Sequence, residues 1–359
     1  MQLARTARAE DLTEPTTPAH DAGEAATLAQ WQQRLREYRQ PDARSATWQL
    51  VTTIGSYVGA WVAMYFALAV SWWLAVPLAV LAGGVMVRVF ILFHDCGHGS
   101  FFASRRANDF WGVVTGWLTL TPYQQWRSDH AVHHGAASDL DRRGVGDIWT
   151  MTVQEYHDAT PWRRLCYRLS RSPIVMFGVA PFVLFLVMQR VARRDATASE
   201  RASVLWTNVV VAATAVGLAL AFGIVPYLIL QAIVLLVAGA AGIGLFYLQH
   251  QFEDAYWERG AQWDYTAAAL QGSSFLRLPR VLQWFSGNIG FHHIHHLSPR
   301  IPNYHLQRCH ESEPAFRAVR PLTLREMVRA LNLRLWHEPT RKLVSFREAK
   351  RLRGARAAG

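Results

Sequence analysis

Two long stretches of this chain carry no charge at all. From Ser45 to Val87, and again from Ala202 to His250, every residue is apolar or neutral. Each run is about twice the ~20 residues that cross a bilayer as a helix, so each predicts two spans. The first run divides beside Ser71-Trp72-Trp73, paired tryptophans being suited to a membrane interface. The second divides at Gly223-Ile224-Val225-Pro226. The predicted spans cover about 48–70, 72–93, 203–222 and 226–248, in two hairpins.

Two weaker apolar stretches remain, 111–122 and 173–189. The first is too short to cross. The second contains Pro181 and has arginines on both sides (Arg163, Arg164, Arg168 and Arg171 before it, Arg190, Arg193, Arg194 and Arg201 after). A span has one flank poorer in Lys and Arg, so 173–189 reads as interfacial or re-entrant. Residues 1–30 are Pro-, Thr- and Ala-rich with scattered acids and lack the apolar core of a signal peptide. They read as a disordered tail, followed by a short amphipathic helix from Gln30 to Arg44. The chain divides into that tail, a membrane domain over 31–335, and a basic C-terminal tail over 336–359.

Charge then orients the hairpins. The 37 basic and 26 acidic residues leave a net charge of +11, and both hairpin turns are uncharged while the long polar segments are basic. Basic loops stay on the inner side, so both termini and a polar cap belong in the cytoplasm, beneath the cell (inner) membrane. This explains the basic excess without a nucleic-acid partner. Three cysteines, Cys96, Cys166 and Cys309, in no paired spacing exclude a disulfide scaffold and a thiolate zinc ribbon; Cys96 reads as a small packing residue.

The candidate chemistry lies in the 15 histidines, which cluster. His94-Asp95-Cys96-Gly97-His98 ends the second span. His130-Ala131-Val132-His133-His134 follows in the next polar segment, and His292-His293-Ile294-His295-His296 comes after the last span. The spacings are H-x-x-x-H, then H-x-x-H-H twice, and a register starting at His293 fails because it ends on Leu297. Residues at i, i+3 and i+4 share a helix face. Three such faces converging bring eight imidazoles together, too many for one ion and suited to two. Imidazole accepts iron, copper, zinc or nickel. His250, at the inner end of the last span, is a ninth candidate, since an ionisable residue there is a functional hypothesis by default. Asp95 and Asp147 are candidates to orient ligand imidazoles, and Asn288 to hold a water. His20, His157, His293, His305, His310 and His337 are read as non-ligands.

These strings resemble a known family. HDCGHGSFF (94–102), HAVHHGAASDLDRRGVGDIWT (130–150), YLQHQFEDAYW (247–257) and GNIGFHHIHHLSPRIPNYHLQRCHE (287–311) are similar to the integral-membrane fatty acid desaturases, in particular the acyl-lipid Δ12 (ω6) and ω3 branch. The resemblance implies an all-α integral membrane protein, four spans in two hairpins, with a cytoplasmic helical cap holding the histidine-ligated site. It implies two non-haem iron ions on His94, His98, His130, His133, His134, His292, His295 and His296, with His250 matching the family's extra histidine. It further implies O2 as co-substrate, and two electrons spent in removing two hydrogens from adjacent methylenes of a fatty acyl lipid, leaving a cis double bond and water. No His-Pro-Gly-Gly haem motif occurs, so electrons are expected from an external donor, a ferredoxin with its reductase, docking on the basic inner face. A lipid hydroxylase, acetylenase or ketolase would use the same site. A transition-metal transporter would place ionisable groups inside the spans, whereas Ser45–Val87 and Ala202–Gln249 are clean, and a histidine-rich scaffold has no need of this spacing.

Overall fold

The computed structural model describes residues 27–357. Residues 1–26, most of the expected disordered tail and His20 among them, lie outside the described residues. The helix expected over 30–44 is split. Helix α1 (Leu28–Arg34) starts in a reciprocal Thr27–Gln30 cap. A 3-10 turn over Glu37–Arg39 follows, and α2 (Ala43–Leu68) begins afresh with the Asp42 carboxylate accepting Ser45 N–H at 2.7 Å. Pro41 is the cause: it lacks an N–H and biases the residue before it away from helix.

Four helices are long and apolar enough to cross a membrane: α2, α3 (Trp72–His98), α9 (Ala198–Phe222) and α10 (Ile224–His250). At the end away from its hairpin turn each helix runs two to five residues past the expected span. Helix α3 is the axis of the bundle, packed between α2 and α10. Some 61% of its apolar window is buried, against 11% for α9, so α3 meets protein on most sides and α9 is left to face lipid.

Between the hairpins lie α4 (Arg105–Leu118), α5 (Tyr123–Ala136), strand β1 (Met151–Thr152), α6 (Val153–Asp158) and α7 (Pro161–Ser170). The stretch expected to be interfacial or re-entrant forms a π-helical turn (Val175–Val179) and α8 (Ala180–Leu186). Taken to Arg190, it is bent by 62° from α7, and Pro181 packs tightly on Gly239 of α10.

After α10 the chain builds the rest of the cap: α11 (Tyr265–Gln271), α12 (Arg280–Phe285), α13 (His292–Leu297), α14 (Asn303–Ser312), α15 (Pro314–Arg317) and α16 (Leu324–Ala330). Helix α12 leaves the cap and lies along α3. The Phe285 ring lies 3.1 Å from where a Cβ on Gly84 would stand, and Gly84 is ten residues before His94, about 15 Å further into the bundle. The Trp284 carbonyl accepts from the Arg88 guanidinium, whose Nε donates to Thr53 Oγ1 at 3.1 Å.

The described residues depart from an all-helical chain in one place. Strands β1, β2 (Leu335–His337) and β3 (Lys342–Val344) form a small sheet in that order, β1 parallel to β2 and β2 antiparallel to β3. Residues 336–357 are therefore no simple tail: Trp336, Leu343, Val344 and Ala349 are buried, and α17 (Phe346–Ala357) overlaps them. Apolar side chains on strands this short are anchored by the sheet despite the basic surroundings.

Candidate metal centre

Four chain segments carry nine imidazoles to one end of the bundle. His94 and His98 sit one turn apart at the end of α3. The helix stops there because Gly99 adopts a left-handed conformation, φ 65°, letting the N–H groups of Gly99 and Ser100 bond back to the Cys96 and Asp95 carbonyls, both at 3.0 Å. His130, His133 and His134 ride on α5, His250 is the last residue of α10, and His292, His295 and His296 occupy α13, whose six side chains are all buried.

The ring nitrogens form two groups. His94, His98, His130, His134 and His295 can present one nitrogen each with all five inside 4.8 Å of one another, and so can His133, His250 and His296. His292 adjoins the second group through an Nε2–Nε2 distance of 3.0 Å to His250. In the first group the Nε2 atoms of His94 and His98 are 3.3 Å apart, those of His130 and His134 3.1 Å, and those of His134 and His295 3.1 Å. Two imidazoles at right angles on one ion, each about 2.1 Å from it, would have nitrogens about 3.0 Å apart. The Nε2 atoms of His133 and His296 are buried with no hydrogen-bond partner, so the second group holds lone pairs with nothing to accept. The residues present fit a pair of metal ions.

Neighbouring groups set which nitrogen faces inward. His133 Nδ1 lies 2.5 Å from Asp147 Oδ1, His94 Nδ1 lies 3.1 Å from Asp95 Oδ1, and His250 Nδ1 faces the Gly272 carbonyl at 3.4 Å. A proton on Nδ1 shared with these acceptors leaves Nε2 bare for a metal. Burial, reinforced by neighbouring imidazoles, holds His130, His134, His292, His295 and His296 well below the usual histidine range. They are neutral at pH 7, the form that ligates.

The structure thus brings together all nine histidines singled out in the sequence, and puts Asp95 and Asp147 against two of them. Asn288 has a different part: at φ 61° it forms the turn ahead of α13, and its amide donates to the Asn303 carbonyl at 3.0 Å. His293 is buried on the far side of α13 among Phe275, His310 and Phe316. Of the other acids near the motifs, Asp129 pairs with Arg193, Asp139 with Arg142, Asp141 with Arg259 and Glu253 with Arg329.

Three contacts go beyond what the sequence reading contains. Asn303 donates twice to Asp95 Oδ2, from its backbone N at 2.7 Å and Nδ2 at 2.9 Å. Trp126 stacks on His130, centroids 4.4 Å apart and planes 19° off parallel; it precedes His130 by one helical turn, which was the available signal. The Tyr265 hydroxyl donates to the His296 carbonyl at 2.7 Å.

Comparison with known proteins gives this geometry its setting. Residues 71–326 match the family model described as fatty acid desaturase. The chain is 42% identical over 330 residues to a fatty acid desaturase of Bacillus subtilis (strain 168), covering 91% of this chain and 94% of that protein. It is 30% identical to an sn-2 acyl-lipid omega-3 desaturase (ferredoxin), chloroplastic, of Arabidopsis thaliana, over 72% of this chain and 60% of the relative. It is 26% identical to an sn-1 acyl-lipid omega-3 desaturase (ferredoxin) of Synechocystis, over 70% and 71%.

Proposed function

The chain belongs to the fatty acid desaturase family, and from that premise we propose that it inserts a cis double bond into an acyl chain carried on a membrane lipid, Δ12-like in position, at a di-iron centre held by the nine clustered histidines. The observation that carries the reading is the pair of nitrogen groups, five and three imidazoles, with His292 beside the second. Iron bound there would supply the oxidising power to take hydrogen from an unactivated methylene, with O2 as oxidant.

The protein's own residues hold and insulate the site. The Asp95 and Asp147 carboxylates accept the Nδ1 protons of His94 and His133 and keep Nε2 directed inward. Burial of His94, His133, His134, His250, His292, His295 and His296 excludes water, which protects a reactive centre from side reactions. The wall above the second group is apolar, with the Phe246 ring 5.1 Å from both His133 and His250.

The orientation in the membrane and the electron donor belong to the same proposal. The uncharged hairpin turns and basic cap favour a cytoplasmic centre in the inner membrane. The basic surface and the ferredoxin named for two relatives favour a small acidic ferredoxin, kept reduced by its reductase. Expression in a bacterium making only saturated and monounsaturated lipids, followed by gas chromatography–mass spectrometry of its fatty acids, tests the function. A new cis double bond is expected, lost when His94 or His295 is changed to alanine. A hydroxylated product, or unchanged lipids in cells whose purified protein lacks iron, sinks it.

A further inference from the structure

Away from the histidines, a cavity of about 620 Å³ opens where α12 leaves the cap. Arg277, Arg280 and Arg317 stand in its wall with Gln283, Gly290 and Phe291. All three arginines are exposed, and among the described residues none of their guanidiniums has a carboxylate or hydrogen-bond partner. Their neighbours do find acids, Arg320 pairing with Glu326 and Arg308 with Glu37. Glu311, the acid in the wall, accepts from Gln307 Nε2 at 2.8 Å. The cavity is therefore lined by three guanidiniums without an ion pair and one carboxylate, a positive excess of two.

Its position narrows the ligand. Arg280 and Gln283 belong to α12, whose Val281, Leu282 and Trp284 are 67%, 52% and 40% exposed while Phe285 packs beside Gly84 of the spanning helix α3. The same short helix thus exposes apolar side chains suited to lipid and carries one arginine, Arg280, in the cavity wall. In the same wall, Phe291 immediately precedes the candidate ligand His292. A ligand with an anionic head and an apolar body satisfies both halves. Guanidinium groups bind the unesterified oxygens of a phosphodiester in paired hydrogen bonds, basic pockets at a membrane face take lipid head groups, and the volume lies in the range of small-ligand sites.

We propose that Arg277, Arg280 and Arg317 form a phosphate subsite for the head group of a glycerophospholipid. The proposal rests on the reading of the chain as acting on lipid-borne acyl chains, and makes the preferred carrier a phospholipid rather than a glycolipid. A free phosphate would meet the guanidiniums but leave the apolar face of α12 unused.

The test measures binding apart from turnover. The metal-loaded enzyme is reconstituted in vesicles of equal parts phosphatidylglycerol and digalactosyldiacylglycerol, extracted gently, and its retained lipids counted by native mass spectrometry. Phosphatidylglycerol retention is expected in the wild type and is weakened about fivefold per guanidinium, equivalent to about 1 kcal/mol, in Arg277→Gln, Arg280→Gln and the triple variant with Arg317→Gln. A charge-matched control changing Arg36, Arg163 and Arg325 to glutamine retains the lipid. Equal retention by the triple variant, equal retention of both lipids by the wild type, or displacement by inorganic phosphate alone overturns the proposal. So does a triple variant that holds phosphatidylglycerol normally but needs more reduced ferredoxin, which would make the patch a protein dock. Desaturation is scored separately on the wild type, so loss of that reading would leave the lipid count standing as its own result.

Discussion

Asn303 grips Asp95 with two hydrogen bonds, backbone N at 2.7 Å and Nδ2 at 2.9 Å, across 208 positions of sequence. The other carboxylate oxygen of Asp95 holds His94 Nδ1. One asparagine at the start of α14 therefore fixes the rotamer of a histidine at the end of α3.

Asn303→Leu removes the side-chain half of that grip and leaves Asp95 buried and under-satisfied, costing about 1–3 kcal/mol. Loss of such outer partners typically costs about 10–100-fold in metal affinity or activity. Iron per chain and desaturated product should both fall in that range, with Asn303→Asp worse, because it sets a second carboxylate against the first. Full iron content in Asn303→Leu would show that His94 needs no help.

His292 and His293 are adjacent on α13 and face opposite ways. His292 Nε2 lies 3.0 Å from His250 Nε2, whereas His293 packs against Phe275 and Phe316. His292→Ala should lower bound iron and abolish product. His293→Phe, similar in shape and better suited to an apolar site, should keep iron content within measurement error. Metal analysis of the two purified variants separates them directly.

Gly97 stands where a Cβ would come 2.8 Å from Trp126 Cζ3, and Trp126 is the ring stacked on His130. Gly97→Ala therefore pushes the tryptophan onto a candidate ligand. Overpacking of this kind costs about 1–3 kcal/mol, and here the strain falls on the site. Activity should drop more than melting temperature does, and Gly97→Ala with Trp126→Phe should recover part of it.

Acid should destabilise the metal-free protein through its histidines. His130, His134, His292, His295 and His296 all lie below their ordinary value because of burial. Below about pH 6.5 the unfolded chain binds protons that the folded chain refuses, so stability falls as pH drops through that value and levels off above it. Urea titrations of metal-free protein from pH 8 to pH 5 should show this slope, reduced when several of these residues are replaced by glutamine.

Much of this was legible because the physics was local. An uncharged run from Ser45 to Val87 has few alternatives to a pair of membrane helices, and histidines at i, i+3 and i+4 state their shared face. What was missed depends on contacts between distant segments. Nothing near Asn303 points to Asp95. Strands of two or three residues are too short for alternation to be seen, so Trp336 and Val344 were submerged in a basic stretch. Arg171, grouped by charge with the basic flank of 173–189, is 1% exposed and bonded to Gln251 Oε1 at 2.7 Å and to the Leu333 carbonyl at 3.2 Å. Pro41 breaks the helix although the spacing on either side of it is helical.

The order of the four histidine-bearing segments also sets a timetable for biosynthesis. The first group lacks His295 and the second lacks His296 until the chain has grown past α13, by which point all four spanning helices have been made. On the di-iron reading, neither nitrogen group is complete before α13, so metal loading would follow synthesis of all four long apolar helices.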